Sequence, residues 1–502
     1  MDPKFSRELG ARWLLAGGCF VLLLFFFSPS WGAFALWSRV PEMQVMLEVR
    51  RGAATLEQVA HPGAPVSDAL HAVIQWRLLF PLIGHVLRLP APLFFGLAYF
   101  GCLAALGYLI TLLRRRGTGW LETALATTAL GGASWFFTST GWLGYWDSWL
   151  ALDLLIVALT DSRRAVWAAF LWAPWVDERF IAAAPLALLC RIVDRTLVSP
   201  GREPAFNWRR EIGVPAALAA VFLVVRFGVL ANLSAAGATP GGYFAGRHFL
   251  DAPISRIVLG VWEGLRSGWF FAVAAVALLW SRRLWAMPAG LLLAVATGGL
   301  VVAGLVTAQD YSRSMTMVLP AAALGAVVWV RSAVSWRRSA LGVCAAAGLI
   351  LPAHHVMNDA VNPIYYLYHE LAALKTPPPG AMPELFELRA IHEMERGEYG
   401  PAESDLGFAI KLSKNPASPA RQRGILRASL GHWADALADF STALAHDQAN
   451  PDAWFMRAQA NFATGNSTGA HDDIEHALSL APNGWTDRPD VRRFLAKLNR
   501  GP

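Results

Sequence analysis

The sequence predicts an all-α protein, with a polytopic α-helical membrane domain over residues 1–370 followed by a helical solenoid. The 502 residues are 55% hydrophobic and only 16% charged, with a mean hydropathy of +0.38, whereas soluble domains carry about 25% charged residues. Apolar runs alternate with short arginine clusters up to residue 370. After it the chain is polar and repeats with a period of 34 residues.

Charge and cysteine usage exclude several classes of protein. The net charge of +7 comes from arginines placed between apolar runs, as the positive-inside bias produces, and not from a nucleic-acid-binding patch. Cys19, Cys102, Cys190 and Cys344 all lie in apolar runs without ligand spacing, so they are expected to be small core residues. No metal site or cofactor is expected, and a divalent cation stays open as an alternative. High Ala, Arg and Trp usage is typical of a GC-rich bacterium.

The N-terminus allows two interpretations. Lys4, Arg7 and Arg12 precede the apolar run Trp13–Phe27, and Ala33–Ala35 resembles a signal-peptide cleavage site. Because many apolar runs follow, we favour a retained first helix that begins in the cytoplasm.

About eleven spans are expected, which places the C-terminal domain in the periplasm of a bacterial inner membrane. Every arginine doublet or triplet then lies inside. Besides the first helix and the short pair described next, the expected spans are Leu93–Leu113, Trp120–Thr138, Leu150–Thr160, Val214–Leu233, Trp269–Trp280, Met287–Ala308, Met315–Val330 and Ala340–Ala353.

One pair of apolar runs is too short to span a membrane. Ala165–Val176 and Ile181–Ile192 have about twelve residues each, where about 20 are needed, and arginines flank both ends. A hairpin with Asp177, Glu178 and Arg179 at its tip is expected. Charges in an apolar region indicate a functional site by default. The alternative is a tip that surfaces into water, stabilised by an Asp177–Arg179 ion pair.

Other polar groups are expected on the same outer face. They lie in the first loop 38–70, in an amphipathic interfacial helix over His71–Leu87, and at two helix ends. The candidates are Glu42, Asp68, His71, Gln75, Arg77, Asp147, Asp310 and Arg313. Asp147 and Asp310 could instead cap helices, and the polar residues of the interfacial helix could be an ordinary surface face.

These residue types suit sugar transfer from a polyprenyl-phosphate donor. A carboxylate can take the proton of the acceptor hydroxyl, and arginines can clamp the departing phosphate bidentately. The catalytic candidates are Asp177, Asp310, Glu42 and Asp68. The substrate-binding candidates are His71, Gln75, Arg77, Asp147, Glu178, Arg179 and Arg313.

The arrangement resembles the GT-C superfamily of integral-membrane glycosyltransferases. The first helix starts inside, an acidic outer loop and an interfacial helix follow, and the C-terminal domain lies outside. The segment Arg77–Pro81 is similar to the Arg-x-x-x-Pro pattern that often follows the first loop in this superfamily. The resemblance implies a lipid-linked sugar donor within the bilayer.

After a linker at 371–382, the chain resembles tetratricopeptide (TPR) repeats over 383–416, 417–450 and 451–484, with a capping helix in 485–502. The residues that align are Gly397, Gly431 and Gly465, Arg389, Arg423 and Arg457, Ala402, Ala436 and Ala470, and Ala409, Ala443 and Ala477. The resemblance implies a concave face that binds a protein or peptide. The alternative is a domain that only aids packing or assembly.

Three rival functions remain. A membrane O-acyltransferase is the least favoured, because it would need a buried histidine within a span and none is seen in the expected spans. A non-enzymatic TPR scaffold for envelope polysaccharide assembly or secretion would not need the outer polar residues. A transporter or flippase would place polar residues at mid-membrane and on both faces, whereas here they gather on one face.

Overall fold

The computed structural model describes residues 3–27, 30–39, 47–199, 206–244, 252–282, 287–308, 310–351, 353–357, 360–363, 381–395, 397–482 and 484–498. The chain forms two compact units. The N-terminal unit comprises Met1–Ala35 and Leu47–Ala372, and the C-terminal unit comprises Leu36–Met46 and Ala373–Pro502. Only the last two residues of the predicted linker 371–382 lie within the described residues.

Before residue 364, the described residues are mainly helical, with one β-hairpin. The helices are α1 (Pro3–Phe26), α2 (Trp31–Arg39), α3 (Leu47–Ala60), α4 (Leu79–Leu87), α5 (Ala91–Arg115), α6 (Trp120–Gly131), α7 (Ser134–Gly141), α8 (Asp147–Leu159), α9 (Arg163–Trp172), α10 (Arg179–Val193), α11 (Val214–Leu223), α12 (Pro240–Phe244), α13 (Ile254–Leu265), α14 (Gly268–Arg282), α15 (Met287–Thr307), α16 (Tyr311–Ser314), α17 (Leu319–Val330) and α18 (Arg337–Ile350). Strands β1 (His354–Met357) and β2 (Ala360–Pro363) pair antiparallel, with His354 opposite Pro363.

The prediction of about eleven spans is wrong. In the described ranges, five helical segments are long and apolar enough to cross a membrane, or six if α13 and the first part of α14, which meet at 80°, form one span. The five are Arg7–Phe26, Ala91–Arg115, Arg209–Leu233, Met287–Thr307 and Tyr311–Val330.

Helix breaks account for the difference in number. The expected span Trp120–Thr138 is divided between α6 and α7, because the helix stops at Gly132–Ala133. Helix α8 has 13 residues, which at 1.5 Å per residue reach about 20 Å, short of the roughly 30 Å hydrocarbon core of a bilayer. A run of apolar residues predicts burial but does not reveal where the backbone turns.

The predicted interfacial helix His71–Leu87 is also two pieces. Residues Ala69–Trp76 form a 3₁₀ helix, and α4 begins at Leu79. Pro81 lies in the first turn of α4. Backbone N–H groups in the first turn have no helical acceptor, so the missing N–H of proline costs no hydrogen bond there. Arg77 lies in the break between the two pieces, and its side chain hydrogen-bonds Asp177 at the hairpin tip.

The core of the N-terminal unit is formed around α17, whose residues are all buried. It packs so closely against α14 that a Cβ on Gly325 would clash with the carbonyl oxygen of Phe271. Helices α8 and α10 also contact α17. The starts of α8 and α10 lie near α16, the short helix that precedes α17, because ion pairs join Asp147, Arg179 and Arg313.

The opposite ends of these helices carry a second set of polar contacts. Arg116 donates to both oxygens of Asp194, at 2.5 and 2.7 Å. Arg331, which follows α17, donates to Ser199 Oγ at 2.9 Å. The buried helices thus run between two polar layers.

The C-terminal unit confirms the predicted helical repeat. Three helix pairs follow one another, and a last helix covers the end. They are α19 (Ala381–Glu395), α20 (Tyr399–Leu412), α21 (Ala417–Ser429), α22 (Trp433–His446), α23 (Pro451–Ala463), α24 (Ser467–Leu480) and α25 (Pro489–Leu498). The aligned glycines Gly397, Gly431 and Gly465 have φ of +77°, +82° and +84°, a left-handed conformation that favours glycine.

Each repeat is also held by one arginine–aspartate contact that the sequence reading missed. The arginine of the first helix binds the aspartate sixteen residues later in the second helix. The pairs are Arg389–Asp405, Arg423–Asp439 and Arg457–Asp473. The aligned alanines are 0–2% exposed and fill the helix crossings. Helix α25 buries Val491, Phe494 and Leu498 against the last repeat.

Candidate functional site

The tip of the predicted hairpin lies at the centre of an ion-pair network. Asp177 lies in the turn before α10 and is 3% exposed. Arg77 Nη1 donates to Asp177 Oδ2 at 2.7 Å, and Arg179 Nε donates to Asp177 Oδ1 at 3.0 Å. The Asp177–Arg179 ion pair, which the sequence analysis gives as the alternative to a functional role, is therefore present, and Arg77 from a distant segment joins it.

Arg179 links this turn to two other helix starts. Its Nη2 donates to Asp147 Oδ1 at 2.6 Å, and its Nη1 donates to the backbone oxygen of Arg313 at 2.8 Å. Arg313 in turn donates from Nη2 and Nε to Asp147 Oδ2, at 2.9 and 3.1 Å. Asp147, fully buried at the start of α8, is thus held by two guanidinium groups.

These contacts keep the hairpin carboxylate ionised. Burial raises the pKa of Asp177, but the nearby Arg179 and Arg77 guanidiniums outweigh it and hold that pKa well below the ordinary value for aspartate. A carboxylate in this state accepts a proton poorly, because protonation would break its contacts with the two arginines. Asp177 is therefore better placed to orient arginines than to act as a base.

A cavity of about 360 Å³ adjoins the network. Its lining combines cations with apolar side chains. Five arginines line it, namely Arg51, Arg77, Arg179, Arg226 and Arg313. The apolar part includes Val73, Phe227, Phe244, Ala303 and Met317. Two carboxylates, Glu178 and Asp310, also line it, so the wall carries more positive than negative charge.

Arg51 differs from the other cavity arginines. It is 5% exposed, its Nε donates to the backbone oxygen of Gly144 at 3.0 Å, and its guanidinium lies over the Tyr145 ring. Among the described residues, no carboxylate lies within ion-pair distance of it. Burial, together with the nearby Arg313 and Arg77, lowers the pKa of Arg51. A bound anion would relieve this uncompensated charge.

Arg226 reaches the cavity from a π-helical turn that continues α11. Its Nε donates to Glu178 Oε1 at 3.0 Å, and its Nη2 donates to the backbone oxygen of Ala238 at 2.9 Å. Arg77 Nη2 lies 3.7 Å from the other oxygen of Glu178. Glu178 is thus shared by two arginines and anchors them at the cavity wall.

His71 lines the same cavity, and its ring contacts the carboxylate of Asp68. Its Nδ1 lies 2.9 Å from Asp68 Oδ2. Arg50 donates from Nε and Nη2 to the two oxygens of Asp68, at 2.6 and 3.1 Å. Burial raises the pKa of Asp68, but the hydrogen bonds from His71 and Arg50 reverse this and hold the pKa below its ordinary value. Burial lowers the pKa of His71.

The structure gives the remaining candidates other roles. Asp310 caps α16, since Oδ1 accepts from the backbone nitrogen of Arg313 at 3.1 Å. Gln75 is buried and does not line the cavity. Its amide bonds the backbone of Gly63, Leu233 and Ala235 instead, so a substrate-binding role for it is not supported.

Two further sequence expectations concern Glu42 and metal ions. Glu42 lies outside the described residues. Within the described ranges, no group of three or more His, Cys, Asp or Glu side chains is placed to hold a metal ion.

The sequence reading missed Arg51, Arg226 and Tyr145. Arg50 and Arg51 form a doublet in the predicted outer loop, which contradicts the expectation that every doublet lies inside. Arg226 is a charge within an expected span, which is itself a signal of function. Both signals were visible in the sequence, whereas the stacking of Arg51 on Tyr145 depends on the fold.

No protein-family model matches the chain, and no curated protein sequence matches it. Among solved structures, the first TPR of Spaghetti (RPAP3) bound to HSP90 peptide SRMEEVD is 20% identical, with a TM-score of 0.22, covering 24% of this chain and 94% of that chain. The APC/C hetero-tetramer Cut9–Hcn1 is 14% identical, with a TM-score of 0.23, covering 93% of this chain and 89% of that chain. Neither likeness carries an argument at these TM-scores, so the repeat fold rests on the helix pairs described above.

Proposed function

We propose that the chain is a GT-C-like glycosyltransferase of a bacterial inner membrane. It would move a sugar from a polyprenyl-phosphate-linked donor to an acceptor on the periplasmic face. The observation that carries this proposal is the single cavity lined by five arginines and by apolar side chains. Guanidinium groups bind phosphate oxygens bidentately, and an apolar wall suits the first isoprene units of a lipid chain.

The charge balance of the cavity fits the chemistry of such a transfer. As the glycosidic bond to the donor breaks, negative charge accumulates on the departing lipid phosphate. Preorganised cations stabilise that charge in a site from which water is largely excluded. Arg51 is the first choice for this role, because it has a buried guanidinium and no carboxylate partner in the described part of the chain.

Membrane insertion is supported by five long apolar helices and by α4. Helix α4 begins two residues after Arg77 and exposes Leu82, Val86 and Leu87. Exposed apolar residues beside a polar site are typical of a helix lying in the membrane interface. A donor held in the bilayer could therefore reach the cavity from the side.

The first test is binding of polyprenyl phosphate to the purified full chain in nanodiscs, measured by native mass spectrometry. Arg51→Ala should weaken binding by about tenfold, which corresponds to roughly 1.4 kcal/mol. Arg338→Ala is the matched control, because Arg338 is 71% exposed and pairs with Glu122 away from the cavity. Equal binding by both variants and the wild type would contradict the proposal.

The second test is complementation of a deletion strain, with envelope glycans profiled by mass spectrometry and membrane levels matched. We expect one sugar to be missing from a glycan in the Arg51→Ala and Arg77→Ala strains. The Arg338→Ala strain should have normal glycans.

A non-enzymatic scaffold is the second candidate, and one observation favours it. Asp147 and Asp177 are each held by two arginines, as in a purely structural network. If the chain is a scaffold, substitutions of the cavity arginines that keep normal membrane levels would leave every glycan unchanged. Only deletion of residues 383–484 would abolish complementation.

For the C-terminal unit we propose binding of a protein or peptide partner on the concave face of the repeats. In support, this unit has a cavity of about 350 Å³ with a polar lining that includes Asn415, Arg421, His446 and Asn450. These groups could hydrogen-bond a polar segment. Proximity labelling in cells, with Arg421→Ala compared to wild type, tests whether a partner is lost.

A further inference from the structure

We infer that His71, oriented by Asp68, is the group that takes the proton from the acceptor hydroxyl. The inference rests on the proposed function and deepens it by assigning the base. From the sequence alone, the base is expected among four carboxylates, and His71 is expected to bind substrate.

The hydrogen bonds around Asp68 fix which nitrogen of His71 is free. Asp68 accepts two hydrogen bonds from Arg50, so it is an ionised acceptor. His71 Nδ1, at 2.9 Å, must therefore be the donor. The lone pair then lies on Nε2. Among the described residues, Nε2 has no hydrogen-bond partner, and His71 lines the cavity.

The carboxylates are less suited to the role. Asp177 and Asp147 are held by arginines and do not line the cavity. Glu178 lines it, but Oε1 accepts a hydrogen bond from Arg226 at 3.0 Å and Arg77 lies 3.7 Å from Oε2. Asp310 lines it while capping α16 through Oδ1. A carboxylate paired with a cation is a weaker base than a neutral imidazole.

The step balances in atoms and electrons. The acceptor hydroxyl gives its proton to His71 Nε2, and its oxygen forms a bond with the anomeric carbon of the sugar. The bond between that carbon and the phosphate oxygen breaks, and the electron pair leaves with the lipid phosphate. Asp68 stabilises the imidazolium that forms. His71 is thus a catalytic residue and Asp68 a positioning residue.

The charges around His71 support a neutral imidazole before reaction. Asp68 stabilises its protonated form, whereas Arg50 and Arg51 from α3 oppose it, as does burial. Arg77 is a further cation of the same cavity wall. Burial is the largest cause and these cations add to it, so the pKa of His71 is lowered and the neutral imidazole that a general base requires is favoured.

The test uses the full chain in nanodiscs with radiolabelled polyprenyl-phosphate glucose, mannose and galactose. Loss of lipid-linked sugar is followed, with water as the surrogate acceptor. His71→Gln should reduce kcat by about 10²–10⁴-fold and leave polyprenyl-phosphate binding unchanged, and added imidazole should partly rescue His71→Ala. The control His61→Gln changes an exposed histidine and should have no effect.

Asp68 has a distinct signature. Asp68→Asn should lower kcat with little change in KM. It should also move the acid limb of kcat to lower pH, because the imidazolium loses its stabilising carboxylate. Asp68→Glu should partly restore both. A loss of folding alone would not move the pH profile.

The outcomes separate the two proposals. If the wild type binds polyprenyl phosphate and releases sugar, but His71→Gln keeps its kcat and pH profile, the base assignment fails while the proposed function stands. If the wild type neither binds the lipid phosphate nor turns over any of the three donors, the proposed function fails and the base assignment fails with it.

Discussion

The guanidinium carbon of Arg51 lies 4.2 Å from the centre of the Tyr145 ring. Arg313 lies at the same distance from that ring. One aromatic ring therefore brings two cations from distant parts of the chain to one cavity. The ring attracts both cations through its quadrupole without neutralising their charge. Arg313 is also paired with Asp147. Arg51 has no carboxylate within ion-pair distance among the described residues, so its charge stays available to an anion.

Tyr145→Leu should remove both cation–π contacts, each worth roughly 0.5–2 kcal/mol. We expect a lower melting temperature of the full chain and weaker polyprenyl-phosphate binding. Tyr145→Phe is the matched control, because it keeps the aromatic face. If the Tyr145→Leu and Tyr145→Phe variants have the same melting temperature and the same polyprenyl-phosphate binding, the aromatic ring does not hold the two arginines.

Asp177→Asn should destabilise the full chain by about 3 kcal/mol, because Arg77 and Arg179 would each lose a buried counter-charge. Arg179 would keep Asp147 and Arg77 would keep Glu178, so the loss should lie at the lower end of the cost of breaking a buried pair. The readout is thermal unfolding in detergent at pH 7. A control at the opposite end of the unit is Arg338→Ala, an exposed ion pair, for which a change of at most about 1 kcal/mol is expected.

Acid should weaken the same contacts. The pKa of Asp177 is lower in the folded chain than its unfolded value of about 3.9. Its contribution to stability is therefore complete above the unfolded value and is lost as pH falls towards the folded value. Between about pH 5 and pH 3, the wild type should lose more stability than Asp177→Asn. Parallel pH profiles would rule out this linkage.

Part of the site could be predicted from the sequence, because charges at helix ends on one side of a bundle must lie near one another. Asp147, Asp177, Arg179 and Arg313 were all expected on the outer face, and the structure joins them. Arg51 lies in an outer loop that is expected to supply carboxylates, so the sequence alone does not single it out. The 34-residue repeat was predictable from spacing alone, since glycine and alanine recur where the backbone and the helix crossings require them.

The number of spans could not be predicted in the same way. Hydropathy records which residues avoid water, and a helix buried inside a bundle is as apolar as one that faces lipid. Helix α8, an expected span, is mostly buried and has only 13 residues, whereas α15 has 21 residues and exposes Leu291 and Val295. Both sequences are apolar, and only the helix ends and the packing of neighbours distinguish them.

Gly325→Ala should separate α17 from α14. Its new Cβ would meet the carbonyl oxygen of Phe271, a backbone atom that no side-chain rotation can move away. Overpacking of a core typically costs about 1–3 kcal/mol, and we expect a value at or above the top of this range. Gly342→Ala is the control, because no atom lies within 4 Å of its new Cβ. Size-exclusion profiles after graded heating should lose the folded peak earlier for Gly325→Ala only.

Gly431→Ala should loosen the second repeat. Gly431 has φ of +82° and an open surrounding, so the cost arises from the backbone and not from a clash. A left-handed alanine costs about 1–2 kcal/mol. Hydrogen exchange of the full chain, followed by mass spectrometry, should quicken in α21 and α22 and stay unchanged in the N-terminal unit.

The control is Gly407→Ala, within α20. Among the described residues, the only atom near its new Cβ is Arg423 Nη1, at 3.5 Å. This variant should slow exchange or leave it unchanged, because alanine favours a helix. Faster exchange in both variants would mean that the left-handed turn is not what holds the repeat together.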